Sequence, residues 1–420
     1  FQRGDEAMAY KTLEKLFYAD SSSDRYACHD ELLRERLTAD GTVRTGIHLE
    51  HGELFACVPL NLSVASERIL RKERKISNLW NSLPYVALGA SIRSLVLEEV
   101  VFSNEMEGVH STRRQIEAAL ESAEDAAVEL CGAAEKEHTP FIEFARLYLQ
   151  LVDGSSRPGK PEDIREIFDA VTKGVLDPKD RPDGKMFRLG PVVIENSRGK
   201  ILHQGVSSEP EIIDLLDKMI ELGNREDVPS LYAASICHFL FEYIHPFYDG
   251  NGRTGRYLLA LSLNETLSQP TVLSLSRTIA ENKTAYYKAF DVVERPLNGS
   301  EATPFVAMIL DLVEQAQDAV LSDLAEKRVQ LDDLKRAIDE LDDTFTERAK
   351  DILFYAAQMH IFGAFGESTL DGVSGYLDVT KPTASRSLSS LIAAGYLEKV
   401  SARPLVCKMT VAGLNLLGLE

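Results

Sequence analysis

Apolar positions recur every three or four residues along most of this chain, the spacing of one face of an α-helix. Over residues 86–107, Ile92, Leu95, Val96, Glu99, Val100, Ser103 and Glu107 fall along one stripe, which predicts a helix that Gly108 stops. A more charged helix is predicted before it, opened by Ser66-Glu67 and running to about residue 80. Thr112 and Gln115 have the spacing of a capping box and open the next helix, to about residue 126. Further helices are predicted over 145–152, from Pro161 onward, and over 211–222, 231–244, 257–267, 277–293 and 303–317. Residues 270–274 read as a turn with a short extended piece. Leu331, Leu334, Ile338, Leu341 and Phe345 continue at helical spacing as a connector or coiled coil. Two stretches break the helical rhythm. Val192-Val193-Ile194 and Ile201-Leu202-His203 flank a polar turn at 195–200 and predict a β-hairpin. The segment around Gly41 and Gly52 reads as short strands or turns.

Composition narrows the class without naming a chemistry. The 420 residues are 44% hydrophobic and 27% charged, the balance of a soluble globular protein with room for two or three domains. No apolar run approaches the length of a membrane span, so no membrane is expected as a partner. The chain begins at Phe1 and not at Met, so its natural terminus is expected to be missing; no signal-like segment is visible. Cys28, Cys57, Cys131, Cys237 and Cys407 are scattered with no C-x-x-C pair, which argues against structural zinc and for a reducing, cytoplasmic setting. A net charge of −20 argues against broad affinity for nucleic acid or anionic membranes. Residues 345–420 carry seven Lys and Arg against seven Asp and Glu, so residues 1–344 hold the whole negative excess.

The densest chemistry lies between two apolar runs, in His245-Pro246-Phe247-Tyr248-Asp249-Gly250-Asn251-Gly252-Arg253-Thr254-Gly255-Arg256. The first run predicts a helix ending near His245, the second a helix beginning near Asn251 or Gly252. Glycines let backbone N–H groups approach a ligand, and a helix N-terminus carries partial positive charge, so the turn suits phosphate. Arg253 and Arg256 are three apart, share a helix face and can reach one anion. Asp249 beside that anion suits a Mg²⁺ shared with phosphate oxygens. His245 at the entrance could take a proton from an incoming hydroxyl. The plainer alternative is a buried turn between core helices, with Asp249 as a cap and the arginines on a solvated face.

This stretch resembles the signature of the Fic family, H-x-F-x-(D/E)-G-N-G-R-x-x-R, with every fixed position filled. The resemblance covers about residues 60–315. It implies a mainly α-helical fold with a small β-hairpin flap, and transfer of AMP from ATP, with Mg²⁺, to a Ser, Thr or Tyr hydroxyl of a target protein. It assigns proton abstraction to His245, Mg²⁺ to Asp249 and an anion cradle to Gly250, Asn251 and Gly252. Arg253 would hold the β-phosphate side, Arg256 the γ-phosphate, and Phe247 would anchor the loop within the nucleotide-binding set. Tyr287 is carried over as the aromatic against the nucleoside, although a Tyr286-Tyr287 pair also suits core packing. The hairpin at 186–204 corresponds to the flap that pairs with target peptide.

Ser103-Asn104-Glu105-Met106-Glu107-Gly108 resembles the inhibitory motif (S/T)-x-x-x-E-(G/N) of many Fic proteins. Ser103 and Glu107 share a helix face, and a carboxylate there would pair with Arg256 where a γ-phosphate should sit.

Residues 345–420 resemble a winged helix-turn-helix domain, through Thr383-x-x-Arg386-x-Leu388-x-x-Leu391 and Gly395-Tyr396-Leu397-Glu398. Between Thr380 and Lys408 lie five Lys and Arg and one acid, so both DNA and another protein stay open as partners of this segment. The expected organisation is an N-terminal segment 1–60 without assigned role, helices over 61–126 bearing the inhibitory motif, a Fic core over 127–318, a connector over 319–344 and a winged helix over 345–420. The expected activity is protein adenylylation restrained by Glu107, in a homodimer by family habit. The rivals are removal of AMP, transfer of another nucleotide such as UMP, and a DNA-binding regulator whose Fic domain only senses nucleotide.

Overall fold

The computed structural model describes residues 10–128, 140–152, 154–195 and 201–419. Cys131 and the hairpin turn at 196–200 lie outside them. The chain divides into two compact units, residues 1–73 with 98–317 and residues 74–97 with 318–420. Residues 74–97, expected with the N-terminal helices, therefore group with the C-terminal part.

The first unit opens with α1 (Leu13–Ala19) and α2 (Arg25–Thr38), capped by the Thr12 and Asp24 side chains. Strands β1 (Thr42–Leu49) and β2 (Gly52–Cys57) pair antiparallel as a hairpin. Helix α3 (Leu60–Asn81) starts directly after Pro59, six residues before the predicted Ser66 start, and α4 (Tyr85–Met106) follows. In α5 (Arg113–Val128) the capping box forms in both directions: Gln115 N donates to Thr112 Oγ1, and Thr112 N donates to Gln115 Oε1. Next come α6 (Ile142–Val152), α7 (Pro161–Thr172), a 3-10 turn at Pro178–Asp180, and the predicted hairpin of β3 (Val193–Glu195) and β4 (Ile201–Gln204).

Helices α8 (Glu209–Gly223), α9 (Ser230–Ile244) and α10 (Asn251–Leu263) form the centre of this unit. α9 is apolar nearly all round, and both α9 and α10 are buried nearly all round, although α10 opens with Asn251, Arg253 and Arg256. Two predictions change here. Residues 270–274 are not extended: Pro270 sits in the first turn of the short helix α11 (Gln269–Val272), where its missing N–H costs nothing. The single helix predicted over 277–293 is two, α12 (Leu275–Glu281) and α13 (Lys283–Glu294). The break falls at Asn282, whose side chain donates to Thr278 O at 2.9 Å and to Gln315 Oε1 at 3.0 Å. The bond to Thr278 O is local and competes with helix continuation, while the bond to Gln315 anchors Asn282 to a later helix. Helix α14 (Thr303–Asp339) runs without interruption through the predicted connector, and residues from Asp318 onward belong to the second unit.

In the second unit, α15 (Glu347–Phe362), β5 (Glu367–Thr369), α16 (Leu370–Tyr376), α17 (Lys381–Ala393), β6 (Leu397–Ala402), β7 (Leu405–Met409) and α18 (Val411–Leu416) follow in order. The antiparallel sheet has the order β5-β7-β6, and β5 is a strand the sequence pattern did not reveal. Ile352, Leu388, Leu397 and Cys407 meet Trp80, Leu331 and Leu334 in one core.

Candidate active site

The turn between α9 and α10 is built from conformations that few residues tolerate. His245 caps α9 in the left-handed region (φ 51°), and Pro246 ends any continuation. Gly250 precedes α10 at φ 85°, where a side chain would be strained and its Cβ would collide with Thr172. Asn251 locks the turn: its Oδ1 accepts from Phe247 N at 3.0 Å and its Nδ2 donates to Phe247 O at 2.8 Å. Phe247 is buried and stacks on Phe168 with centroids 3.6 Å apart. Thus the Asn251 side chain holds the loop from within, and the Phe247 ring anchors it against Phe168.

Residues the sequence reading passed over complete the frame. Arg188 is fully buried and donates to three carbonyls, His245 O (2.7 Å), Ile244 O (3.2 Å) and Gly190 O (2.7 Å). Tyr248 Oη donates to Asp183 Oδ1 and accepts from Gly190 N. Arg188 had a weak signal, a charged residue between Phe187 and Leu189, whereas Glu242 had a clearer one as the lone acid in the apolar run 231–244.

His245 Nδ1 lies 3.3 Å from Glu242 O, which selects the Nδ1–H tautomer and leaves Nε2 as the basic nitrogen. Burial, then the nearby His203 ring, lowers the His245 pKa to about 4. Asp249 is partly exposed; its Oδ1 accepts from Gly250 N, and its Oδ2 lies 3.4 Å from Arg253 Nη2. Arg253 is buried, and its Nε and Nη1 have no hydrogen-bond partner among the described residues. A buried guanidinium with free N–H groups beside a helix N-terminus is incomplete without an anion.

Arg256 is complete. Its Nε donates to Ser103 Oγ at 3.1 Å, its Nη2 to Ser103 O at 2.6 Å, and its Nη1 to Glu107 Oε1 at 2.9 Å. Burial opposes its charge, but the Glu107 carboxylate together with Tyr286 and Glu242 raises its pKa. Glu107 lies in the turn after α4, and its carboxylate covers Gly252 so closely that a Cβ there would overlap it. Glu242, inside the same helix pair, has a buried Oε1 without a hydrogen bond, and burial followed by the Glu107 charge raises its pKa to about 8.

The Tyr pair divides. Tyr286 is buried with its Oη 2.7 Å from His238 Nε2. Tyr287 is 45% exposed, with Lys283 Nζ 5.8 Å from its ring centre. Burial and the Glu107 charge raise the Tyr287 pKa to about 12.

The structure thus gathers His245, Asp249, Gly250, Gly252, Arg253 and Arg256 around one helix N-terminus, with Ser103 and Glu107 on Arg256. Among the described residues no group of three or more His, Cys, Asp or Glu side chains could hold a metal unaided. The lone Asp249 carboxylate fits an ion that takes its other oxygens from substrate phosphates and water. No helix among the described residues is long and apolar enough to cross a membrane.

Residues 158–263 match the model of the Fic/DOC family, so the chain contains a Fic-family domain. Among curated proteins, it is similar to the protein adenylyltransferase Fic of Drosophila sechellia, at 24% identity over 158 residues, 38% of this chain and 29% of that protein. The same-named protein of Drosophila erecta is 30% identical over 101 residues, 23% of this chain and 19% of that one. The chain therefore matches less than a third of the length of these relatives. Among solved structures, it is similar to a Fic family protein from Desulfovibrio desulfuricans, with TM-score 0.47 and 18% identity over 83% of this chain and 96% of that one. A Fic domain containing signaling protein from Bacteroides thetaiotaomicron gives TM-score 0.43 and 18% identity over 61% of this chain and 97% of that one.

Proposed function

We propose that this chain is a protein adenylyltransferase that moves AMP from ATP to a Ser, Thr or Tyr hydroxyl of a target protein and is restrained by Glu107. The observation that carries the reading is Arg253, a buried cation with two unpartnered nitrogens beside Asp249 at the start of α10. In the reaction, His245 Nε2 takes the hydroxyl proton as the target oxygen bonds to the α-phosphorus. The bond from that phosphorus to the β-bridging oxygen breaks, and pyrophosphate leaves. Backbone N–H groups at Gly250 to Gly252 face the α-phosphate, and Arg253 binds the departing phosphates. Asp249 holds Mg²⁺, which when bound neutralises charge on the phosphates. Positioning and charge neutralisation supply most of the rate. Release of Glu107 frees Arg256 for the γ-phosphate, so the resting enzyme is slow.

Labelling a host lysate with ATP marked at the α-phosphate tests this, using wild type, Glu107→Gly and His245→Ala. A labelled band with Glu107→Gly, weaker with wild type and absent with His245→Ala, is expected. No band in any lane, with ATP still bound, transfers the weight to UMP or another nucleotide, to AMP removal, or to nucleotide sensing.

A second reading concerns residues 345–420. Their order of three helices and a three-stranded sheet, α15-β5-α16-α17-β6-β7, supports the winged-helix reading. The exposed side of α17 offers Arg386, Ser389 and Ser390, with Lys381 paired to Asp371 at 2.9 Å, and the β6–β7 turn adds Arg403. That face suits duplex DNA.

A further inference from the structure

His203 on β4 is placed between two hydrogen-bond acceptors. Its Nδ1 lies 2.7 Å from Glu294 Oε2 of α13, and its Nε2 lies 2.9 Å from Tyr243 O of α9. A main-chain carbonyl only accepts, and so does an ionised carboxylate. Satisfying both bonds therefore takes a proton on each ring nitrogen, the imidazolium. The ring is nearly buried, and its centre lies 6.2 Å from that of His245. The geometry points to His203 as a positioning residue of the transfer reaction, an imidazolium fixed by Glu294 and Tyr243 O that keeps His245 neutral and ready to accept a proton. The inference rests on the adenylyltransferase reading, but its main test does not need the reaction.

The physical link is charge. A cation about 6 Å away disfavours a second cation, because both share a poorly solvated site. His203 is the second cause, after burial, of the lowered His245 pKa. The other charged groups acting on His245 are Arg188, which also lowers it, and Glu107, which raises it. Glu50 and His51, from the β1–β2 turn, line a small cavity with Tyr243 and Glu294. Glu294 sits on the ring nitrogen opposite the one that meets α9, so its negative charge is spent on His203. The Nε2 bond ties the β3–β4 hairpin to the last turn of α9, two residues before His245, and the Nδ1 bond ties it to the end of α13. Hairpin position and the state of the base are thereby set by one side chain.

The experiment is long-range ¹H–¹⁵N correlation on the full chain labelled at histidine, with His203→Gln and His245→Gln for assignment. At pH 7 both His203 nitrogens are expected to be protonated in wild type. In His203→Gln the His245 titration midpoint is expected to rise by about one pH unit or more. Glu294→Gln is expected to return His203 to a neutral tautomer and to raise His245 likewise. In the Glu107→Gly background, the acid limb of the pH profile for kcat/KM should move up with the His245 midpoint, and His203→Lys should move it part of the way back. A neutral His203 in wild type, with the proton on Glu294, overturns the inference. So does a His245 midpoint unmoved by His203→Gln while kcat falls, since that is a structural effect alone. If the midpoints shift as stated and no transfer is found, the proposed function fails and the role of His203 stands.

Discussion

Glu107 Oε1 accepts a hydrogen bond from Arg256 Nη1 at 2.9 Å across 149 residues of sequence. Ser103, one helical turn earlier, meets the same guanidinium with both its hydroxyl and its carbonyl. Each nitrogen of this buried arginine is thus engaged from within the chain, and Glu107 holds the Nη1 edge.

Removing the Glu107 carboxylate leaves Arg256 held by Ser103 alone. Glu107→Gly is expected to raise AMP transfer by about tenfold or more, given the strength of a charge-assisted bond. Ser103→Ala should raise it less, since Ser103 O still accepts from Nη2. Initial rates of label incorporation into target protein check both, and equal rates in wild type and Glu107→Gly would end the restraint model.

Arg253 keeps two nitrogens, Nε and Nη1, without a hydrogen-bond partner among the described residues. In the Glu107→Gly background, Arg253→Ala is expected to lower transfer by about 10²-fold, the usual cost of one preorganised electrostatic contact. Arg253→Lys should recover little, because a point charge does not reproduce the planar fork. Nucleotide affinity measured beside the rate separates binding from chemistry.

Phe247 fixes the loop from below. Phe247→Ala removes the ring stacked on Phe168 and is expected to destabilise the first unit by about 3–5 kcal/mol. A lower denaturant midpoint, together with loss of transfer, is the outcome to look for.

Glu242 makes stability depend on pH. Its folded pKa of about 8 lies above the ordinary carboxylate range, so the folded state keeps a proton that the unfolded chain loses. This contribution is fully present below about pH 4 and is lost as pH rises through 8. Glu99, raised to about 7 by burial, acts in the same direction. Glu242→Gln is therefore expected to raise Tm relative to wild type at pH 9 and to change it little at pH 5. Melting curves across that range check the sign.

Duplex binding by residues 345–420 should depend on a few cations. Fluorescence anisotropy of the full chain with a random 30-base-pair duplex at low salt is expected to show binding that Arg386→Ala and Arg403→Ala weaken and salt abolishes. Binding unchanged by both substitutions would assign this face to a protein partner.

The sequence by itself determined much of this. Apolar periodicity placed most helices and the hairpin, because those patterns reflect which face each element buries. The twelve residues from His245 to Arg256 carried the candidate chemistry, because a left-handed cap, a glycine turn and paired arginines are local demands met by adjacent residues. Proline and asparagine misled locally: Pro270 opened a helix instead of ending one, and Asn282 broke a helix whose apolar spacing continues past it. Only the tertiary structure decided what each side chain of the motif touches. It joined the Asn251 side chain to Phe247 and left Arg253 Nε and Nη1 without hydrogen-bond partners among the described residues. It also brought Arg188, His203 and Glu242 to the site and joined Ser103 and Glu107 to Arg256. Those relationships cross tens to hundreds of residues, and they exist because packing α9 against α10 excludes water, so a buried charge such as Arg256 is met by groups from distant parts of the chain.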